Sequence, residues 1–510
     1  MLPKMKMLIV SLALCGLSAL FFVNDEASRI LSVRLLSEKE WTQLREQRQE
    51  GEVDFTLLFE WAALPEYHSE LGDGYLLAQN TEEWTGSLSV AGSCEIALLP
   101  SDLWESPKKA AGTAVGVPFA VYDTDTFQTG TLFVTTLPVM LLDTESAEND
   151  DGTERMYGRM TLFDTAALPG SYAQETACEF HVRGSASRVY YKVGYKLNLL
   201  DENGNKKDAS LLNMREDDDW ILRAMGLDES KIREMLATEL WNEMNDFGTY
   251  QADYVEVFLD GSYHGLYLLQ EPMDFKTLDL DPENNFLIQI KTWAEDSDFW
   301  GDLEKNGRTE LECGEFAIDR NHAGNLDEVY EVLLAYKRWM EQEEGGEIRI
   351  SPDRENLYLL DIFLMTITGV DNSEKNQFMV FSREEDGSFR VRKLPWDMDA
   401  TFGQNLDYIV YEDFASIDTG DSMMEILEET EPEETARGLR ETYWRLRTTV
   451  LQEEHMQEII ESLYARLEES GVLLRENAAW DKEFGREQTE FVKDFVNRRL
   501  QWMDTYYFSM

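Results

Sequence analysis

"GVDNSEKNQFMVF" occupies residues 369–381, and "KLPWDMDATFG" follows at 393–403. Each stretch sets carboxylates beside an amide or a glycine and joins them to an apolar, strand-like run. Acids are costly in a fold interior unless paired, so the two stretches mark a place where the chain has some use for charge. Upstream, "SPDRENLYLLDIFLMTITGV" reads as a helix with a Ser-Pro start. Between the two stretches lie the strand "QFMVF", a turn at "EEDG" and the strand "FRVRKL". The order is helix, polar loop, hairpin, acidic loop.

Asp371 and Asn376 are spaced D-x-x-x-x-N, and Asp397 and Asp399 follow the hairpin. An aspartate that orients a hydroxyl, a nearby asparagine and a further aspartate after a hairpin are groups that Mg-ATP phosphoryl transfer employs. Oxygen ligands suit a hard cation such as Mg²⁺ or Mn²⁺, and the chemistry is then positioning and charge neutralisation. The spacing alone leaves a calcium-binding or simple turn reading of "DMDATFG" open.

Working towards the N-terminus, "YVEVFLDGSYHGLYLLQEPMD" predicts a β-hairpin turning at Asp260 and Gly261, with Glu271 at the end of its second strand. Before it, Glu229 to Met244 carries apolar residues at Ile232, Leu236, Leu240 and Met244, the spacing of an amphipathic helix. Arg233 and Glu239 sit near that stripe, able either to reach a cleft or to form ordinary surface pairs. Earlier still, "RGSASRVYYKVGYKLNLLDENGNKK" reads as a small-residue turn, a strand carrying Lys196 and an Asn-Gly turn at Asn203 and Gly204. The amides of Gly184, Ser185, Ala186 and Ser187 could approach a phosphate; an ordinary turn with a solvated edge lysine is the alternative. The last hundred residues are helical with charged outer faces.

From Ser28 to about Thr165, short alternating apolar runs broken by Gly, Asp and Pro predict a β-rich accessory region. Within it, the polar "DTESAENDDGTERMYG" reads as an exposed loop. At the start of the chain, Lys4 and Lys6 precede an apolar run from Met7 to Val23, followed by Asp25 and Glu26. That pattern predicts a signal anchor or a cleaved signal peptide over residues 1–27, a membrane association through this helix and an extracytoplasmic body. An exported chain permits a disulfide. Cys94 with Cys178 is the pair expected, set against separate thiols there and at Cys313.

A formal charge of -54 excludes nucleic acid as a natural partner over most of the surface. The five histidines, His68, His181, His264, His322 and His455, include no pair at metal-ligand spacing, which argues against a metallohydrolase. No Gly-x-Ser-x-Gly elbow supports nucleophilic hydrolysis.

The runs "RGSASRVYYKVGYKLNLLDENGNKK", "EDDDWIL", "IREMLATELWNEM", "VEVFLDGSYHGLYLLQE" and "LPWDMDATFG", in this order, resemble the CotH family of spore-coat-type atypical protein kinases. The likeness covers roughly Cys178 to the C-terminus. It implies an α+β, diverged protein-kinase-like fold with a β-rich N-lobe and a helical C-lobe over residues 166–510, preceded by the accessory region 28–165. It also implies ATP and Mg²⁺ or Mn²⁺ as cofactors, and Ser/Thr of spore-coat or cell-surface proteins as substrate. By the same resemblance, Lys196 would hold nucleotide phosphates with Glu239 as its ion-pair partner, and Arg233 would meet phosphate. Glu271 would lie towards the adenine edge, Asp371 would act on the substrate hydroxyl, and Asn376 and Asp397 would ligate metal with support from Asp399. The chain departs from the family in reading Val-Gly-Tyr-Lys before Lys196, where Lys-Lys-Ser-Tyr-Lys is usual, and "IRE" for Met-Arg-Asn. A non-catalytic kinase-like scaffold for the cell surface or coat is the alternative function.

Overall fold

The computed structural model describes residues 29–113, 115–150, 153–165, 172–184, 190–291, 312–313, 316–318, 326–343, 345–373, 375–404 and 419–510. Its centre is a closed β-barrel. In spatial order the strands are Val139–Asp150, Thr153–Phe163, Ala173–Arg183, Gly194–Leu200, Asp219–Arg223, Ser262–Gln270 and Ala252–Leu259. The barrel closes through parallel pairing of Val139 with Glu256 and of Leu142 with Leu259. Side chains of alternate residues point inward, as the two-residue period of a strand requires. Met140, Leu142, Phe180, Leu197, Trp220, Leu222 and Tyr267 fill the interior.

The stretch 143–158, expected as a loop, is instead the far end of the hairpin Val139–Asp150 and Thr153–Phe163. It lacks apolar alternation because most of its residues are exposed. Cross-strand charge supplies what apolar packing does not: Arg159 pairs with Glu145 and Glu175, and Arg155 with Glu179. Gly158 is needed there, since a Cβ would lie 1.9 Å from the Asp143 carbonyl oxygen.

Ahead of the barrel, the strands Glu66–Ser69, Gly72–Ala78, Thr126–Thr135, Val117–Tyr122 and Glu95–Leu98 form one sheet, joined by Gln49–Glu50. Thr56–Phe59, Ala62–Ala63 and Leu88–Ala91 form another. Tyr67 and Phe133 from this region pack against Phe258 and Tyr263 of the barrel. Cys94 is a free thiol in this region, and Cys178 is a free thiol inside the barrel. The expected disulfide therefore does not form.

Beyond the barrel, a mixed sheet is ordered Glu312–Cys313, Phe316–Ile318, Asn285–Ile290, Gln377–Arg383, Phe389–Pro395, Ile350–Pro352. Around it pack the helices Leu326–Met340, Arg354–Ile367, Ser422–Thr430, Pro432–Arg447, Glu453–Glu469, Val472–Trp480 and Arg486–Ser509. The helix leading to Asp371 starts later than its Ser-Pro suggested. Ser351 and Pro352 belong to a strand, and Asp353 is the N-cap, its side chain accepting from the Asn356 amide at 3.2 Å.

The helix predicted over 229–244 runs Arg233–Met244 and is not amphipathic. Arg233 through Thr238 are all buried, as are Leu240, Trp241 and Met244, because the helix is enclosed between the barrel and the helical part.

Two buried ion pairs tie the helix Val472–Trp480 to the barrel. Glu476 accepts from Lys192 at 2.7 Å and from the Leu266 amide at 2.8 Å, with Lys231 at 3.7 Å. Arg475 pairs with Glu256 at 2.7 Å. Burial pulls the Lys192 ammonium down to about 8, with Glu476 opposing the shift.

The fold class is thus mixed α+β. Among the described residues no helix is long and apolar enough to cross a membrane; the anchor expected over 1–27 lies outside the described residues.

Candidate active-site cleft

The strand Ser262–Gln270 leaves the barrel through Glu271, Pro272, Met273 and Asp274 on its way to the mixed sheet. A cavity of about 240 Å³ opens beside this crossing. Arg183, Lys196, Asp219 and Ile221 line it from the barrel, Pro272 to Asp274 from the connection, and Leu287, Gln289, Phe378 and Trp396 from the sheet. One wall is therefore apolar and the barrel side is charged.

Beside Trp396, which lines the cavity, two loops are stitched together. The helix Arg354–Ile367 ends at Thr368 in the left-handed conformation, and a 3₁₀ turn Val370–Asn372 follows. Asn372 donates to the Trp396 carbonyl at 2.6 Å, and the Trp396 amide donates to the Asn376 carbonyl at 2.8 Å. Asn376 and Asp397 both take positive φ, 52° and 61°. Non-glycine residues adopt that conformation only when their surroundings impose it. Here it turns Asn376 back so that its amide donates to Asp371 at 2.6 Å, while Lys375 contacts the other Asp371 oxygen at 2.8 Å.

Arg223, nearly enclosed at the end of its barrel strand, joins the barrel to the loop that follows the mixed sheet. Its guanidinium binds Asp397 and Gln270, lies 3.2 Å from Glu234 and stacks over Trp396 at 4.7 Å. Burial disfavours the charged form of Asp397, but the Arg223 and Arg183 charges outweigh it and hold its carboxyl below the ordinary range. Asp399 goes the other way: burial and the Asp397 and Glu234 charges push it well up. Asp371 is also raised, by burial, with Lys375 opposing. Around Asp399 the Asp397 and Glu234 charges outweigh the opposing Arg223 charge, an acidic setting whose oxygens are of the type that could hold a hard divalent cation.

Of the expected site residues Lys196 lines the cavity, whereas Asp371, Asn376, Asp397 and Asp399 lie outside its lining, next to it in the chain through Trp396 and tied to the barrel through the Arg223–Asp397 pair. Lys196 pairs with Asp219 at 2.8 Å, a neighbour on the adjacent antiparallel strand. The expected pairing of Lys196 with Glu239 does not occur. Glu239 is held at about 6 by burial and responds to Arg466, Glu243 and Asp253. Glu234, five residues earlier and fully buried, meets Arg223 and Gln270 instead; at about 100° per residue those two positions point in quite different directions. Arg233 is committed to Asp228, to the Ser230 hydroxyl at 3.0 Å and to the Thr401 carbonyl at 3.0 Å, so it ties the 397–403 loop to its helix. Glu271 accepts from the Arg215 and Gln251 amides at 2.9 and 2.8 Å, bracing the barrel exit. Of the small-residue turn, Ser185, Ala186 and Ser187 lie outside the described residues.

Sequence reading passed over Arg183, Asp219, Arg223 and Glu234. A lone arginine in the apolar run "WILRAMG" was the available signal for Arg223.

Asp208, Asp217 and Asp218 gather their oxygens within 4.8 Å of one another. Lys276 occupies the group, at 2.6, 3.2 and 3.0 Å from the three, so a cation of the chain's own already sits there.

The family model described as CotH kinase protein matches residues 180–503, and the chain belongs to that family. No curated protein matches the sequence.

Proposed function

We propose that the protein is an ATP- and divalent-metal-dependent protein kinase of the CotH type with a diverged kinase-like fold, the barrel serving as N-lobe. The observation that carries this is Arg223, which ties Glu234 of the enclosed helix to Asp397 of the acidic loop beside the cavity. A strand cation paired with a helix glutamate, beside an acidic loop, is similar to the lysine–glutamate pair that aligns phosphates in protein kinases, with an arginine in place of the lysine. Asp371 orients the acceptor hydroxyl, with its own orientation set by Asn376 and Lys375. Asp397 and Asn376 would hold the metal, with Asp399 sharing it, and Lys196 would stand at the phosphate side. When bound, the metal would neutralise phosphate charge and ATP would supply the phosphoryl group. Ile221, Leu287 and Met273 line the cavity with apolar surface against which a base would rest. The acceptor is a serine or threonine of an extracytoplasmic protein, of the spore coat or cell surface, with the N-terminal segment holding the enzyme to the membrane.

The test is incubation of the full chain with labelled ATP and Mg²⁺ or Mn²⁺ and a protein acceptor, beside Asp371→Asn and Asp397→Asn. Transfer by the wild type that falls at least about a hundredfold in each folded variant is expected; equal labelling in all three would overturn the reading. One observation favours a second reading, a non-catalytic scaffold: Asp397 and Asp371 are already paired with Arg223 and Lys375. That reading requires wild type to bind no ATP in the presence of either metal.

A further inference from the structure

Arg183 ends the barrel strand Ala173–Arg183, opposite Gly194, and is half-buried in the wall of the cleft cavity. Arg223, Arg233 and Arg475, three enclosed arginines, each have a carboxylate. Arg183 has none: among the described residues it makes no hydrogen bond and no ion pair. Burial, with the Arg223 charge adding to it and Asp397, Glu234 and Asp219 opposing, pulls its guanidinium down to about 10. Half-buried and without a partner among the described residues, the guanidinium has its donors available to whatever enters the cavity. Lys196, the other cation lining the cavity, is already paired with Asp219, its side chain 40% exposed.

We propose that Arg183 is a phosphate-binding residue of this cleft, its planar fork taking two oxyanions of a nucleoside polyphosphate, ahead of Lys196 in importance. The proposal rests on reading the cleft as a nucleotide site. Five donors in a fixed fork match a phosphate bidentately, which a lysine cannot do. The position also fits: Arg183 shares the cavity with the apolar wall on one side and lies within electrostatic reach of Asp397 on the other. A ligand base on that wall would therefore direct its phosphates past Arg183 towards the metal-binding acids.

Titration calorimetry on the full chain, with Mg²⁺ present, tests this with three probes: ATP, adenosine and inorganic tripolyphosphate. Arg183→Gln should weaken ATP and tripolyphosphate about tenfold to hundredfold and leave adenosine unchanged. Arg183→Lys should fall in between, and Lys196→Met should cost less than Arg183→Gln. Because Arg183 supports no other group, Arg183→Gln should melt no lower than wild type, which separates ligand loss from misfolding. Unchanged ATP affinity in Arg183→Gln overturns the proposal while leaving the nucleotide reading intact. Tripolyphosphate binding that depends on Arg183, without any ATP binding, keeps the anion site and removes the nucleotide reading. Wild type that binds neither probe sinks both.

Discussion

At the scale of single residues, the buried acids are tuned by what surrounds them, and Asp361 shows it away from the cleft. It sits on the helix that delivers the chain to Asp371, with the Tyr507 hydroxyl at 3.5 Å. Burial, then the Glu428 and Asp421 charges, push its carboxyl up to about 7. A folded value above the unfolded one means that its contribution to stability is fully present below about pH 4 and is lost as pH rises through about 7. Wild type should therefore lose melting temperature relative to Asp361→Asn between pH 5 and pH 8, measured by calorimetry at matched ionic strength. A constant difference across that range would refute it. The cleft acids were readable in the sequence because each stands at a junction between an apolar run and a polar turn, where charge has no packing role. Arg183 and Glu234 were not, since neither the strand end nor the helix announces which neighbour its side chain will meet.

Elements are fixed here by close approaches as much as by periodicity. Gly265, in the strand Ser262–Gln270, takes φ +85°, and a Cβ there would lie 1.9 Å from a Glu476 carboxylate oxygen. Gly265→Ala should therefore displace Glu476 from Lys192 and Lys231 and cost about 3 kcal/mol or more, seen as a lower urea midpoint. A loss under about 1 kcal/mol would mean that Glu476 has room to move. The hairpins at 252–270 and 377–395 were legible because apolar alternation and Asp-Gly turns agree. The strand ends over 143–150 and 153–158 were not, because most of their described residues are exposed and charged or polar, as in a loop, with an Arg159–Glu145 pair crossing between the strands. The enclosed helix gave a similar difficulty. With apolar and charged residues buried on every side, its period could not say which glutamate meets Arg223.

For the molecule as a whole, 100 acidic residues against 46 basic ones leave a surface that repels itself. Raising NaCl from about 0.01 M to about 1 M shortens the screening length from about 30 Å to about 3 Å. Melting temperature should rise by several degrees over that range; a flat or falling profile would mean that surface ion pairs outweigh the repulsion. Charge was readable from composition, as was the mixed α+β class from the order of strand and helix patterns. The barrel was not, because its closing pair joins Val139 to Glu256, and no local pattern reports a partner so distant in sequence.

The clasp between the helix Val472–Trp480 and the barrel has a consequence for the order in which the molecule assembles. Glu476 lies 284 residues beyond Lys192, and Arg475 lies 219 beyond Glu256. Until that late helix arrives, Lys192 lacks the carboxylate that accepts from it and Glu256 lacks its guanidinium, and enclosing either costs heavily. The barrel therefore cannot close over these charges until a segment more than two hundred residues further along has been made. Closure is a late, long-range event, so a partly made chain has no finished barrel.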